Sequence, residues 1–373
     1  MKGSRPRDPG ATPLRIALFH DLPSGGAKRT AYAQVAGLVE RGHRVSCFTT
    51  SNGEENFFPL RQVAHEVTVL QAPDPPDRER TLTGRPTPLD LLRWANLFRG
   101  IRGVGRRVAL AAGGEDFDVL LVHPSQFTQA PHVLRWSRIP TVYYCHEVLR
   151  AAYEPLISGP IPRLGIRWTL GRVDRRNARK ATTLAVNSEY TRQRVREVYG
   201  RDATVVSPGV DLQRFRPSGS PRGTHVLAVG ALHPLKGLDF ILEAISRLSP
   251  PLRPPLVVVS DRAREGERAR LMRRARGLGI HLDLRERVSE EELAELYSGA
   301  RALAFAAHNE PLGLVPLEAM ACGTPVVAVS EGGVSETVVD GITGRLVPRD
   351  PRDFAGALRQ MLENPDEIEE MGR

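Results

Sequence analysis

The apolar residues of this chain occur in short runs of strand length, separated by longer segments in which they recur at helical spacing. The first unit begins with an apolar strand at Leu14–His20. It continues through a glycine turn into a helix over residues 27–41 and returns as a strand at Val45–Thr49. Strands that alternate with helices are typical of parallel βαβ units. The same alternation continues along the chain, so the pattern predicts an α/β fold.

The 373 residues favour two domains, because one hydrophobic core rarely organises more than about 250–300 residues. Residues 217–223 are rich in Pro, Ser and Gly and mark a linker. We therefore predict a lead-in at 1–13, a first domain at 14–212, a linker at 213–223 and a second domain at 224–373.

Several features favour a cytoplasmic location. The first 13 residues are polar and basic and lack the apolar core of a secretory signal. No apolar run approaches the ~18 residues that a membrane-spanning helix needs. Cys47, Cys145 and Cys322 fall in or beside predicted buried segments without metal spacing, as expected of reduced thiols.

The net charge of +9 is concentrated in the first half of the chain. Residues 1–212 contain 31 Lys and Arg against 20 Asp and Glu, whereas residues 213–373 contain 21 against 23. This asymmetry favours an anionic partner, such as a membrane surface or a lipid phosphate, and nucleic acid is not expected. Basic helices at 89–110 and within 161–180 would bind a membrane surface or pack on the sheet with solvated arginines, and we favour the packed interpretation.

The densest motif spans residues 308–337 and reads HNEPLGLVPLEAMACGTPVVAVSEGGVSET. Glu310 precedes an apolar helical run that contains Glu318. If the whole span were helical, the two carboxylates would lie ~12 Å apart along the axis, farther than the roughly 5–9.5 Å of a glycosidase pair. The free N–H groups at the start of the helix form a natural anion site. Carboxylates bind hydroxyl groups well, and a helix N-terminus binds phosphate well. The order of these groups along the chain therefore matches the hydroxyl, phosphate and hydroxyl groups of a nucleotide sugar.

This stretch resembles the retaining glycosyltransferases of family 4, whose E-x7-E motif falls on Glu310 and Glu318. The resemblance implies the GT-B fold, in which two Rossmann-like, doubly wound domains face each other across a cleft. It also implies that Glu310 holds donor-sugar hydroxyls and that Glu318 holds the ribose hydroxyls. The backbone at Leu312, Gly313 and Leu314 would meet the diphosphate and sugar. Members of the family continue with a helix that crosses back to the first domain, and because this chain stops at Arg373 we expect that helix to be missing.

The resemblance extends to the start of the second domain, with one departure. The family usually carries Arg directly after a strand-ending glycine and Lys five residues later, both of which neutralise the diphosphate. This chain has Ala231 at the first position and Lys236 at the second. His233 and Arg262 are candidate substitutes for the missing Arg, and Val288 matches the position of the base-binding backbone. Lys236 would stabilise the charge that develops on the leaving diphosphate.

Three histidines, His20, His123 and His146, each end a predicted strand of the first domain. Open α/β sheets bind ligands beyond the carboxyl ends of their strands, so these side chains predict a lined site. The resemblance assigns His146 to the acceptor or donor sugar, where a neutral imidazole could relay the acceptor's proton. It also places the Gly25-Gly26 loop at the acceptor and donor phosphate.

Asp116-Phe117-Asp118 matches the D-x-D pattern of metal-dependent glycosyltransferases, but it directly precedes a strand, as turn residues do. We interpret it as structural and predict neither a metal site nor a cofactor.

The sequence thus predicts metal-independent, retaining transfer of a hexose-type sugar from a nucleotide diphosphate sugar. The acceptor would be a hydroxyl of a glycan, a lipid-linked glycan or a small molecule, and peripheral contact with the inner face of a membrane remains a hypothesis. Alternatives are a GT-B protein that binds an anionic glycan or lipid without catalysis, a nucleotide-sugar epimerase, and a phosphorylase, which usually needs pyridoxal phosphate.

Overall fold

The computed structural model describes residues 12–75, 87–114, 116–154, 164–219, 221–261 and 265–373. The chain divides into two compact units. The first comprises Met1–Asn187 and Thr191–Val206, and the second comprises Ser188–Tyr190 and Ser207–Arg373.

The first unit is built on a seven-stranded parallel sheet with the order β3-β2-β1-β4-β5-β6-β7. The strands are β1 (Arg15–Asp21), β2 (Arg44–Thr50), β3 (Glu66–Leu70), β4 (Val119–Ser125), β5 (Thr141–Cys145), β6 (Thr183–Val186) and β7 (Thr204–Val205). Ile16 of β1 lies opposite Val45 of β2 and Val119 of β4. The strand order reverses between β1 and β4, which is the switch point where ligands bind in such sheets.

Helices cover both faces of this sheet. They are α1 (Gly26–Glu40), α2 (Pro88–Gly114), α3 (Arg150–Tyr153), α4 (Leu164–Ala178) and α5 (Glu189–Tyr199), with 3₁₀ turns at Leu60–Gln62 and His132–Arg135. Leu18 packs with Val35 of α1 on one face, whereas Phe19 packs in a cluster with Val108 of α2 and Val195 of α5 on the other. Strand alternation therefore supplies both layers of the core.

The helix predicted at 89–110 extends over Pro88–Gly114 and runs through Gly100, Gly103 and Gly105. A Cβ at Gly100 would lie 2.3 Å from Pro73 Cδ, and one at Gly105 would lie 2.8 Å from the Val133 nitrogen. These glycines therefore allow close packing. Leu97 and Ile101 are buried, which agrees with the packed interpretation of this helix.

Asp174 of α4 is a buried acid in the core of the first unit. Its Oδ1 accepts a hydrogen bond from the Ala130 N–H at 2.9 Å, and its Oδ2 accepts from the hydroxyls of Tyr199 at 2.9 Å and Tyr153 at 3.2 Å. Burial raises the pKa of Asp174 to about 7 despite these donors. The carboxyl group is therefore protonated over much of the acidic range in the folded protein.

We expect the stability of the Asp174→Asn variant to improve relative to the wild type as the pH rises. An unfolded Asp has a pKa near 3.9, so between about pH 4 and 7 the folded wild type binds more protons and loses stability with rising pH. Urea unfolding at pH 5 and pH 8 should show that the variant gains about 2–3 kcal/mol in unfolding free energy relative to the wild type over this range. Asp116→Asn, at a side chain that is 97% exposed, is the control, and an equal difference at both pH values would contradict this account.

The second unit is built on a six-stranded parallel sheet with the order β10-β9-β8-β11-β12-β13. The strands are β8 (Val226–Val229), β9 (Leu256–Ser260), β10 (Leu282–Glu286), β11 (Ala302–Phe305), β12 (Val326–Val329) and β13 (Gly344–Val347). Leu303 of β11 lies opposite Leu227 of β8 and Val326 of β12. The order reverses between β8 and β11, so a second switch point lies there.

Two helical layers enclose this sheet as well. The helices are α6 (Leu238–Ser246), α7 (Glu265–Gly277), α8 (Glu290–Gly299), α9 (Leu314–Ala321), α10 (Pro351–Glu363) and α11 (Pro365–Gly372), with 3₁₀ turns at Pro234–Lys236, Pro250–Leu252 and Gly332–Glu336. Val226 belongs to the cluster that contains Ile241 of α6 and Leu358 of α10. Leu227 belongs to the cluster that contains Tyr297 of α8 and Ala319 of α9.

Residues of the predicted 213–223 linker pack on the second unit. Phe215 is buried, and its ring lies 6.0 Å from the ring of Tyr297. Arg222 donates to the backbone oxygens of Gly323 and Ala300. In the parts of the chain that the structure describes, no helix is both long enough and apolar enough to cross a bilayer.

Candidate functional site

The structure brings Lys236 and Glu310 together at the switch point of the second sheet. Lys236 ends the 3₁₀ turn that follows β8, and Glu310 lies in the loop that follows β11, the neighbouring strand. Lys236 Nζ lies 2.8 Å from Glu310 Oε2, and the side chains are 33% and 21% exposed. A predicted diphosphate-binding cation and a predicted sugar-binding carboxylate therefore form an ion pair that solvent can reach.

Close backbone packing places Lys236 at this position. Gly237 has a φ of 67°, and a Cβ there would lie 2.2 Å from the Ala306 oxygen, so no larger residue fits. The His308 N–H donates to the Leu235 oxygen at 2.8 Å. The turn after β8 is therefore fastened to the loop that carries Glu310.

Helix α9 begins beside this ion pair. Gly313 precedes the helix with a φ of 97°, and Leu314 is its first residue. The N–H groups of Leu314 and Val315 have no acceptor within the helix, whereas Pro316 has no N–H and the Leu317 N–H donates to the Gly313 oxygen at 3.3 Å. The first turn contains no acidic residue. This end of the helix is electropositive and suits an anion, as the sequence predicts.

Glu318 lies inside the same helix and is 6% exposed. Its Oε2 accepts a hydrogen bond from the Tyr297 hydroxyl of α8 at 2.9 Å, which holds the carboxylate in one orientation. Leu312 and Gly313 are buried, whereas Leu314 is half-buried. The assignment of these residues to ribose, diphosphate and sugar remains a prediction.

The other predicted donor residues have different environments. His233 is exposed, and its Nδ1 accepts from the Leu235 N–H at 3.3 Å, so its imidazole caps its own turn. Val288 is partly buried against the cluster that contains Leu227 and Tyr297, and the preceding Arg287 has a φ of 54°. Arg262 lies outside the described residues.

In the first unit, two of the three predicted strand-end histidines form a pair. His123 Nδ1 lies 3.2 Å from His146 Nε2, and desolvation lowers the pKa of both imidazoles, which keeps them neutral. His123 is fully buried, and its Nε2 has no hydrogen-bond partner among the described residues. Gly25, with a φ of 127°, and Gly26 start α1 at the same edge of the sheet.

His20 belongs instead to a buried group that the sequence analysis missed. Its Nε2 lies 3.3 Å from Lys28 Nζ and 3.1 Å from Glu55 Oε1. Lys28 also donates to Glu55. Burial alone would raise the pKa of Glu55, but the bonds from His20 and Lys28 lower it to about 2. A Lys in an amphipathic helix is normally solvated, so no signal in the sequence indicated this burial.

The D-x-D segment directly precedes β4, and Asp118 has a structural contact. Asp118 Oδ2 accepts from the Arg15 N–H at 2.7 Å, next to the pairing of β1 with β4. Among the described residues, no three His, Cys, Asp or Glu side chains are grouped as metal ligands would be.

Two glycosyltransferase families match the chain. The family described as Glycosyltransferase Family 4 matches residues 24–214, and the family described as Glycosyl transferases group 1 matches residues 213–373. The D-inositol 3-phosphate glycosyltransferase of Geodermatophilus obscurus is 37% identical over 61% of this chain and 55% of its own length. That of Acidothermus cellulolyticus is 30% identical over 94% of this chain and 83% of its own length. The chain thus spans little more than half of the first relative and most of the second.

Solved structures show the same architecture. Anabaena HepE in complex with UDP and glucose has a TM-score of 0.73 and 20% identity over 96% of this chain and 92% of its own. Sucrose-phosphate synthase from Thermosynechococcus elongatus matches with the same values. The fold prediction of two Rossmann-like, doubly wound units is therefore confirmed. The chain belongs to glycosyltransferase family 4 and has the GT-B fold.

Proposed function

We propose that this chain is a retaining glycosyltransferase that moves a hexose-type sugar from a nucleotide diphosphate sugar to an acceptor hydroxyl. The observation that carries the proposal is the Lys236–Glu310 pair, 2.8 Å apart at the switch point and beside the start of α9. It combines a cation, a helix N-terminus and a carboxylate, which match a diphosphate and a sugar. HepE, a solved structure with this fold, binds UDP and glucose.

The ion pair defines what the donor must do on binding. A diphosphate would draw Lys236 away from Glu310 and add the first-turn N–H groups of α9 as donors. Glu310 would then be free to accept hydrogen bonds from the sugar hydroxyls, while the buried Glu318 would accept from the ribose. Binding would thus replace one ion pair with several charge-assisted hydrogen bonds.

The same groups support the bond-breaking step. The bond between the anomeric carbon and the diphosphate oxygen breaks, and both electrons leave with the diphosphate. Lys236 and the α9 N-terminus stabilise the charge that develops there. The acceptor hydroxyl attacks the anomeric carbon from the same face, and its proton passes to the leaving oxygen. The product therefore keeps the anomeric configuration of the donor.

We assign the acceptor side to the first unit, through Gly25, Gly26 and the neutral pair of His123 and His146. A neutral imidazole accepts a hydrogen bond from a hydroxyl and holds it in one orientation. D-inositol 3-phosphate, which the names of the curated relatives specify, is the first acceptor to test.

Thermal-shift screening in the presence of EDTA tests the donor proposal. The ligands are UDP, GDP, ADP and dTDP and the glucose conjugate of each nucleotide. We expect one nucleotide class to raise the melting temperature. The proton spectrum of the product then reports the anomeric configuration, which should equal that of the donor. If no nucleotide shifts the melting temperature, the proposal fails and the non-catalytic alternative stands.

We also propose that the protein is cytoplasmic and that the basic face of the first unit contacts an anionic membrane. Trp168 of α4 is 64% exposed, and the Arg172 guanidinium lies 4.5 Å from its ring. Asp174, the acidic residue of α4, is buried in the core of the first unit. The face is therefore cationic, with an exposed aromatic residue, which suits a lipid interface.

Sedimentation with vesicles tests this location. The wild type should bind phosphatidylglycerol vesicles but not phosphatidylcholine vesicles, and Trp168→Ser with Arg172→Ser should weaken binding severalfold. Leu212→Ser, at a residue that is 69% exposed in the second unit, is the control. Equal binding by the wild type and the double variant would contradict the proposed contact.

A further inference from the structure

The loop that carries Glu310, residues 306–312, is held by backbone contacts on two sides, and we call it the donor loop. On the β8 side, the donor loop meets the turn that ends at Lys236, as described above. On the β12 side, the Gly333 N–H donates to the Glu310 oxygen at 2.7 Å. A Cβ at Gly332 would lie 2.4 Å from that oxygen, and one at Gly333 would lie 2.1 Å from the Pro311 oxygen.

Arg349 adds a third support from farther along the sheet. It follows β13, which is separated from β11 by β12. Its Nη1 donates to the Ala306 oxygen at 3.0 Å, and its Nη2 donates to the Ala307 oxygen at 3.1 Å. The guanidinium also lies 5.5 Å from the Phe240 ring. Arg349 therefore holds the first two residues of the donor loop directly.

Glu331 connects Arg349 to the middle of the donor loop. Its two carboxylate oxygens accept from Arg349 Nε at 2.6 Å and Nη2 at 2.7 Å. The hydrogen bond from Arg349 is the main cause that lowers the pKa of Glu331, and the His308 ring and the Asn309 backbone also contribute. His308 Nδ1 lies 3.8 Å from the same carboxylate.

The residue before Glu310 shows why such support is needed. Asn309 has a φ of 46°, in the left-handed region that non-glycine residues enter only when their surroundings hold them. The conformation of Asn309 sets the direction in which the chain enters Glu310. Loss of the Glu331 contacts would let the backbone relax and move the carboxylate.

We propose that Arg349, acting together with Glu331, is a positioning residue that aims Glu310 at the donor sugar. The inference rests on the proposed function, since it assigns a purpose to the orientation of Glu310. A planar guanidinium serves two carbonyl oxygens and a carboxylate at once, which a lysine ammonium at this place does not do with equal geometry. The effect should therefore appear in the sugar part of donor binding and not in the nucleotide part.

The test compares calorimetric titrations of UDP and UDP-glucose, or of the pair with the preferred base, for several variants. Arg349→Ala should weaken UDP-glucose binding by about ten- to a hundredfold and leave UDP binding near the wild-type value. Arg349→Lys and Glu331→Gln keep most of the side-chain volume, and their affinities for UDP-glucose should lie between those of the wild type and Arg349→Ala. Hydrogen exchange of residues 306–313 without ligand should become faster in Arg349→Ala.

Arg345→Ala is the matched control, because Arg345 lies on β13 and pairs with Glu367 of α11. The side chains of the Arg345–Glu367 pair are 28% and 19% exposed, close to the 20% and 29% of Arg349–Glu331. This control should change neither the ratio of the two affinities nor the exchange of the donor loop.

Two results would overturn the inference. One is equal weakening of UDP and UDP-glucose in Arg349→Ala, and the other is unchanged exchange at residues 306–313. If the wild type binds neither ligand, the proposed function fails separately, and the exchange result alone decides whether Arg349 holds the donor loop.

Discussion

Replacing Glu310 with glutamine is expected to lower kcat/KM for sugar transfer by about two to three orders of magnitude. In the proposed donor complex, the carboxylate would accept hydrogen bonds from two sugar hydroxyls once Lys236 turns to the diphosphate. Charge-assisted hydrogen bonds contribute about 1.5–3 kcal/mol each, and about 1.4 kcal/mol corresponds to a factor of ten. Glutamine keeps the shape but offers a neutral acceptor and an N–H donor, so both bonds are weakened.

A matched variant separates this effect from a general loss of an ion pair. Glu367→Gln removes the carboxylate that pairs with Arg345, at 19% exposure against 21% for Glu310. Activity of Glu367→Gln should stay near the wild-type value, and urea unfolding should report similar stabilities for the two variants. If Glu310→Gln kept most of the wild-type kcat/KM, the assignment of Glu310 to the donor sugar would be wrong.

Lys236→Met is expected to weaken nucleoside diphosphate binding by about ten- to a hundredfold and to lower kcat as well. The reason is the exposed Ala231, which stands where the family usually has an arginine. If the donor proposal is correct, Lys236 would supply charge that the family's usual arginine and lysine share. Methionine keeps the length of the side chain without its charge.

Ala231→Arg provides the complementary experiment. A guanidinium at this exposed position should increase diphosphate affinity about tenfold in the wild type and recover part of the loss in Lys236→Met. Titration with UDP and with uridine distinguishes a phosphate effect from a base effect, because only UDP binding should respond. If the two variants bound UDP as the wild type does, Lys236 would not be a diphosphate ligand.

The resemblance to family 4 named Lys236 and Glu310 in the sequence, and the rule that ligand-binding residues follow the carboxyl ends of parallel strands explains why the two lie close together. Lys236 and Glu310 each follow a short apolar strand, and adjacent parallel strands bring such residues to one edge. The same rule grouped His20, His123 and His146 at one predicted site, and the structure brings His123 and His146 together. The rule was less successful for His20, because it does not show which side chains a buried imidazole contacts. In the structure, His20 contacts Lys28 and Glu55.

Contacts that reach across other elements could not be predicted in this way. Arg349 spans β12 to reach Ala306, and in the sequence it is one of three arginines between residues 345 and 352. Phe215 lies in a segment whose Pro, Ser and Gly content is typical of a linker, yet its ring is buried against α8. Composition describes only the local chain, whereas these contacts depend on how the fold brings together segments that are far apart in the sequence.

Hydrogen exchange across the whole chain, with and without saturating UDP-glucose or the preferred nucleotide sugar in EDTA, tests the central claim most directly. The proposed donor site predicts strong protection in two segments of the second unit, residues 230–237 and 308–318. Protection confined to other segments, or none at saturation, would contradict the assignment of the donor site to Lys236, Glu310 and the start of α9.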